Sequence, residues 1–319
     1  MTSHGNFSSS SPNQCNETQE LFFLVAYAVL GVLMLAGNAF VCVVFLAAKK
    51  LRHNYMNIFL LSLSVADMLM AVLVIPFYTV HCFRDCSHFL SQHCWLLRKA
   101  RDYVLGATTL NTCAITYDRY LAILRPLQYG TKMTKLRVGA ILAAVWGLPV
   151  IVAATRNAWY HTTEEQHRHL TVKLYDIAII IVPVIVFQIV MLLVNIKIIC
   201  KIKKHRKPSW RSYGYTSPNQ LNRLQEEITD EASQLKKGTT SCVMVVLTFV
   251  ACWLPKTVHN FSYVVDPPNT FLSSPLFFRI CFLFLFLQSS FNPFIYTLYR
   301  AQFRHAAQNI IAKWCRCKT

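Results

Sequence analysis

Seven stretches of this chain are each long and apolar enough, or nearly so, to cross a hydrocarbon layer, and a backbone in lipid has few choices. Every buried N–H and C=O must find a partner inside its own segment or in a closed sheet, so apolar runs of about 20 residues become helices. The stretches fall at roughly 21–48, 55–82, 94–122, 137–155, 173–200, 239–265 and 272–299. The fourth reads as the shortest, interrupted by Pro149. Most connections are short. The exception, roughly 201–238, is rich in Lys, Arg, Gln and Glu, and its Leu221–Ile228 part has helical spacing that can extend the sixth span. After Tyr299, the residues Phe303, Ala307, Ile310, Ile311 and Trp314 share one helical face, with Arg304, Gln308 and Lys313 elsewhere. The expected fold class is all-α, a seven-transmembrane helix bundle with a short amphipathic eighth helix on the inner leaflet.

Composition supports a membrane. The 319 residues are 54% hydrophobic and only 14% charged, where a soluble domain carries about 25% charge. The net charge of +18 is not spread evenly. Lys49, Lys50 and Arg52 follow the first span, Lys201, Lys203, Lys204, Arg206 and Lys207 the fifth, and Arg300, Arg304, Lys313, Arg316 and Lys318 the seventh. Such alternation marks inner loops and assigns the excess charge to a membrane surface, so no nucleic-acid partner is expected. Residues 1–20 are polar, so no cleavable signal is expected there, while Asn6-Phe7-Ser8 and Asn16-Glu17-Thr18 are glycosylation sequons. The expected division is an extracellular glycosylated amino terminus (1–20), the bundle (21–300), and the amphipathic helix with a cytoplasmic tail (301–319). The expected location is the plasma membrane.

Half of the twelve cysteines (Cys42, Cys113, Cys200, Cys242, Cys252 and Cys281) lie in apolar spans and read as reduced packing residues. Cys15, Cys82, Cys86 and Cys94 fall on the outer side, where oxidation is allowed. Cys315 and Cys317, just past the amphipathic face, are candidate palmitoylation sites.

Polar residues inside lipid are costly and mark function. Asp67 sits mid-span in Ser64-Val65-Ala66-Asp67, and Asn38 follows Gly37 on the first span. Trp146 is on the fourth, Pro183 on the fifth, Cys252-Trp253-Leu254-Pro255 on the sixth, and Asn292-Pro293-Phe294-Ile295-Tyr296 on the seventh. The third span closes on Asp118-Arg119-Tyr120 before a loop containing Pro126-Leu127. This ordered set resembles the rhodopsin-like G-protein-coupled receptors, from about residue 25 to 315.

That resemblance implies roles. Asp118, Arg119 and Tyr120 would form the switch for a heterotrimeric G protein, with Ile123, Pro126 and Leu127 as an apolar knob for its groove. Trp253, Pro255, Asn292, Pro293 and Tyr296 would relay the change, Pro183, Pro255 and Pro293 supplying kinks. Asp67, Thr108, Ser289 and Asn292 would hold sodium in the resting state. Cys94 matches the family's outer-end cysteine, but its usual partner loop contains none. Cys15 is the preferred alternative, with Cys82 or Cys86 open. Departures include Met191 for a tyrosine, Leu235 for an acid that latches Arg119, Thr109 for an aliphatic residue, and Gln288 for an asparagine.

For the ligand, Arg101 stands where amine receptors of this family carry an aspartate, and a cation there repels ammonium groups. Asp102 is adjacent but turned by about 100°. Phe286 occupies the lysine position of opsins, so no retinal imine is expected. Arg98, Lys99 and Arg101 can receive a carboxylate or phosphate, or be neutralised internally by Glu164, Glu165 or Asp176. Lys256 and His259 add polarity on the sixth span. The expected ligand pocket is Arg101, Asp102, Trp253, Lys256 and His259, taking an acidic peptide or an anionic small molecule. A constitutively active or decoy receptor is the alternative, as is a proton or zinc sensor using His81, His88, His93, His161, His167 and His169. No inverted repeat, filter loop, nucleophile–base pair or nucleotide loop points to a transporter, channel or enzyme.

Overall fold

The computed structural model describes residues 17–76, 88–162, 173–204, 218–265 and 271–316. No strand occurs among the described residues. Seven long helices follow in order: Glu17–Ala47, Tyr55–Val74, His88–Leu124, Lys135–Thr162, 173–204, Pro218–Val265 and Pro275–Tyr299. The short helix Pro126–Lys132 joins the third to the fourth, and Ala301–Arg316 follows the seventh after a break at Arg300.

Six of the seven are long and apolar enough to cross a membrane on length and composition alone. The third falls short because charge gathers at both its ends: Arg98, Lys99, Arg101 and Asp102 at one, Asp118 and Arg119 at the other. Between Asp102 and Asp118 it carries no charge. Its polar residues there are largely satisfied within the helix. Asn111, Thr112 and Thr116 each donate to the carbonyl one turn back, at 2.9–3.0 Å, as small polar side chains do in apolar surroundings.

The bundle is inside-out relative to a soluble protein. Val25, Val29 and Val32 on the first helix, and Val182, Val186, Ile189 and Leu193 on the fifth, are exposed at helical spacing. Asn38, Asp67, Asn111, Asp118 and Asn292 are fully buried.

Two prolines set close approaches between helices. The fourth helix runs unbroken through Pro149 for 28 residues, so it is neither interrupted there nor the shortest span. The ring of Pro149 faces Gly106, where an added Cβ would come within 3.1 Å of it. A loss of one backbone hydrogen bond is offset by packing against a helix with no side chain at that level. Pro293 does the same at Gly37, more tightly, at 2.9 Å. Pro183 sits just after a π turn, Asp176–Ile181, and a second π turn, Met70–Val74, ends the second helix. Such turns insert an extra residue per turn and re-aim the side chains beyond them.

The amphipathic helix is only partly available to lipid. Phe303 and Ala307 are buried in a cluster with Val41, Val44, Phe45 and Tyr296, whereas Ile311 is exposed. Arg304, Gln308 and Lys313 are exposed.

Candidate functional site

A cavity of about 1290 Å³ opens among the third, fourth, fifth, sixth and seventh helices. All five expected pocket residues, Arg101, Asp102, Trp253, Lys256 and His259, line it. The helix turn between Arg101 and Asp102 does not separate them. The guanidinium reaches back to its neighbour, Nε donating to Asp102 Oδ1 at 2.7 Å. Asp176 takes a different partner from those anticipated: Arg156 on the fourth helix donates to both its oxygens, at 2.6 and 2.8 Å. Periodicity does not report which acid a base will meet, so the Arg156–Asp176 pair leaves no signal in the sequence.

Lys256 has a different environment. Its Nζ stands 4.7 Å from the centre of the Phe278 ring and 5.6 Å from that of Phe282, and the Arg101 guanidinium lies 5.9 Å from the same Phe282 ring. Aromatic faces stabilise cations modestly without neutralising them. His259 is buried, with Nδ1 2.8 Å from the Leu272 carbonyl. At the cavity floor Trp253 stacks on Phe249 with ring centres 5.0 Å apart, and its indole N–H has no hydrogen-bond partner among the described residues. Thr257 and Gln188 tie the sixth helix to the fifth at 3.0 Å.

Below the cavity, Asn292 Nδ2 donates to Asp67 Oδ2 at 2.7 Å, and Asn38 Nδ2 donates to the Ser289 carbonyl at 3.3 Å. Asp67 Oδ1, Thr108 Oγ1 and Asn292 Oδ1 are buried without a hydrogen-bond partner among the described residues. Oxygen acceptors gathered around a carboxylate suit a hard monovalent cation, so these residues fit sodium. An ion there would supply the charge that a buried carboxylate otherwise lacks.

At the far end of the third helix, Arg119 pairs with Asp118 on its own backbone, Nε donating to Oδ2 at 2.9 Å. The Tyr129 hydroxyl donates to Oδ1 of the same carboxylate at 2.9 Å. Burial, then the Asp118 carboxylate, raise the Tyr129 phenol, so it stays a donor. Tyr120 and Ile123 are half-buried; Pro126 is exposed and Leu127 is 97% exposed. Tyr296 is buried with its hydroxyl unpartnered among the described residues. Met191 is buried, its sulfur 3.8 Å from Cys113 Sγ.

Arg300 is a surprise of this region. Its charge suggests the basic tail, but it is only 7% exposed, held at the joint between the seventh helix and the amphipathic helix. Burial, with a smaller effect from the neighbouring Arg119, pulls its pKa down to about 10. It remains a cation at neutral pH, sharing its surroundings with Arg119.

Cys42, Cys113, Cys200, Cys242, Cys252, Cys281 and Cys315 are free thiols, and Cys315 is exposed. Asn6, Asn16, Cys15, Cys82, Cys86 and Cys317, together with the side chains of Cys94, Leu235 and the six outer histidines, lie outside the described residues.

Residues 37–296 match the family described as the 7 transmembrane receptor (rhodopsin family). The chain belongs to that family. It is a G-protein-coupled receptor, a multi-pass membrane protein and not an enzyme. Among curated relatives, the receptor is 26% identical to 5-hydroxytryptamine receptor 4 of Rattus norvegicus, across 93% of this chain and 77% of that protein. It is also 26% identical to trace amine-associated receptor 5 of Rattus norvegicus, across 91% and 84%. Neuropeptide Y receptor type 6 of Oryctolagus cuniculus is 23% identical, across 89% and 78%.

Proposed function

We propose that this receptor answers an extracellular ligand bearing an acidic group, a peptide with an acidic or free carboxyl end or an anionic small molecule, and passes the signal to heterotrimeric G proteins. The observation that carries this reading is that Arg101 and Lys256, both lining the cavity, lie against the ring of one buried phenylalanine, Phe282. Lys99, Arg101, Arg156, Lys173 and Lys256 line that cavity against Asp102 and Asp176, both already engaged by arginines. Several relatives are named for amines, yet an ammonium entering here would meet cations first. Like charges at close range in a low-dielectric pocket repel by several kcal/mol, so the amine reading fails on electrostatics.

In this mechanism the amino terminus faces outward and the tail faces the cytoplasm, at the plasma membrane. An anion at Arg101 and Lys256 presses on the layer above Trp253, and the sixth helix pivots at Pro255. Arg119 then leaves Asp118 and meets the G protein, with Ile123, Pro126 and Leu127 filling its groove. Asp67, Thr108, Ser289 and Asn292 would hold a sodium ion, whose charge would offset the buried carboxylate and so favour the resting arrangement. Asn6 and Asn16 carry glycans, and Cys315 and Cys317 carry palmitate that seats the last helix.

The test is nucleotide exchange in membranes from cells expressing the receptor, screened against acidic peptides, carboxylates, phosphates and biogenic amines. An anionic activator is expected, with Arg101→Ala or Lys256→Ala weakening its potency on the order of tenfold or more. An amine whose potency survives Arg101→Ala and collapses with Asp102→Asn would reverse the assignment. One second reading has an observation behind it. Met191 replaces a tyrosine that supports the active state in the family, and Leu235 replaces an acid, so signalling without ligand is the competing outcome of the same assay.

A further inference from the structure

The cavity does not end at the cations. Below Arg156 and Asp176 its wall is built from Leu148, Pro149 and Val152 of the fourth helix and Ile179, Val184 and Phe187 of the fifth. Leu148 is 46% exposed, Ile179 45% and Phe187 39%, so this wall reaches the outer surface of the bundle, which faces lipid in a membrane receptor. The fourth and fifth helices are fastened where Arg156 meets Asp176 and where the Thr155 hydroxyl lies 2.6 Å from that of Tyr175. The Tyr175 hydroxyl also donates to the Val152 carbonyl at 3.1 Å; beyond Val152 no hydrogen bond joins the two helices among the described residues, and the fifth helix takes its π turn, Asp176–Ile181, beside the gap. Across the bundle the first and seventh helices are stapled, with Arg279 paired to Glu20 and the Tyr27 hydroxyl donating to the Arg279 carbonyl at 2.8 Å. One cavity thus joins a cationic end to an apolar slot that opens sideways.

We infer that the ligand is a single-chain anionic amphiphile from the lipid phase, its carboxylate or phosphate head at Arg101 and Lys256 and its alkyl tail in the slot between the fourth and fifth helices. This rests on the anionic reading of the pocket and adds the tail. A peptide needs no sideways opening. An acyl chain does, because its methylenes gain by leaving water and lose nothing on reaching lipid. Entry from the bilayer also needs no passage through the loops.

The experiment measures nucleotide exchange on the full-length receptor in membranes, using matched alkyl carboxylates and alkyl phosphates from two to eighteen carbons. Potency against total aqueous concentration is expected to rise roughly fourfold per methylene while the tail fills the slot, then level off. Comparison of the two series identifies the head. Val152→Phe, which plugs the slot, should flatten the dependence on chain length and spare short anions. Leu33→Trp, on the exposed face of the first helix, should change nothing. A long-chain carboxylate carrying a terminal photoreactive group should label peptides covering 148–156 or 179–187. Potency independent of chain length, with short anions active, overturns the tail assignment and leaves the anionic pocket standing. Labelling confined to other helices overturns it as well. Inactivity of every anion at every length overturns both readings.

Discussion

Asn292 Nδ2 donates to Asp67 Oδ2 at 2.7 Å, joining the seventh helix to the second directly beneath the ligand cavity. The other carboxylate oxygen has no hydrogen-bond partner among the described residues, which is where a cation would act. Asp67→Asn keeps the shape and removes the charge. We expect sodium to shift agonist potency on the order of tenfold in the natural receptor and not at all in the variant. Equal sodium dependence in both would show that this polar layer only packs.

The Tyr129 hydroxyl shares Asp118 with Arg119, so it steadies the resting carboxylate from the short helix Pro126–Lys132. Tyr129→Phe removes one hydrogen bond to a charged group, about 1.5–3 kcal/mol, and should raise basal exchange several-fold. Arg119→Ala should abolish exchange while surface expression persists. The phenol's pKa is raised, so its stabilising contribution is complete below the ordinary tyrosine value and is lost only as pH climbs through the higher folded value. Basal exchange should therefore show no step from this contact between about pH 6 and about pH 9. Exchange that is normal in a well-expressed Arg119→Ala receptor would count against the switch.

Gly37→Ala tests the tightest helix approach. The new Cβ would lie 2.9 Å from the Pro293 ring, and overpacking of this kind costs about 1–3 kcal/mol. The Tm of the purified receptor should fall by several degrees. An unchanged Tm would mean the first helix yields without cost.

The outer cysteines give a chemical test. The loop between the fourth and fifth helices contains no cysteine, so Cys94 must pair elsewhere or stay reduced. Closing a longer flexible loop adds little entropy per residue, which favours Cys15. Non-reducing peptide mapping should recover Cys15 linked to Cys94; a Cys86–Cys94 or Cys82–Cys94 peptide would replace that pairing, and an alkylatable Cys94 would remove it.

Much of this architecture was legible in the sequence because lipid imposes length. The seven spans and the ordered motifs on them follow from apolar runs and a few buried polar residues. What periodicity cannot report is partnership. Arg101 and Asp102 are neighbours that periodicity assigns to different faces, yet a long guanidinium stem lets them meet. Asp176 finds Arg156, and Arg300 turns inward from what looks like a basic tail. Pro149 reads as a break because its cost is local and visible, while the compensating gap at Gly106 lies on another helix. The π turns at Met70–Val74 and Asp176–Ile181 leave no compositional trace.

The fit of Pro293 against Gly37 also limits how the seventh helix can move. Gly37 is a one-residue notch, with the buried Met34 and Val41 a turn to either side. Those side chains lie about 5 Å from Gly37 along the axis, so a slide of one turn would carry the ring out of the notch and onto them. The joint behaves like a pin in a socket: it permits swivelling and forbids sliding. The first helix would then act as a fixed frame, and movement of the seventh helix against it would be built from rotation more than from sliding.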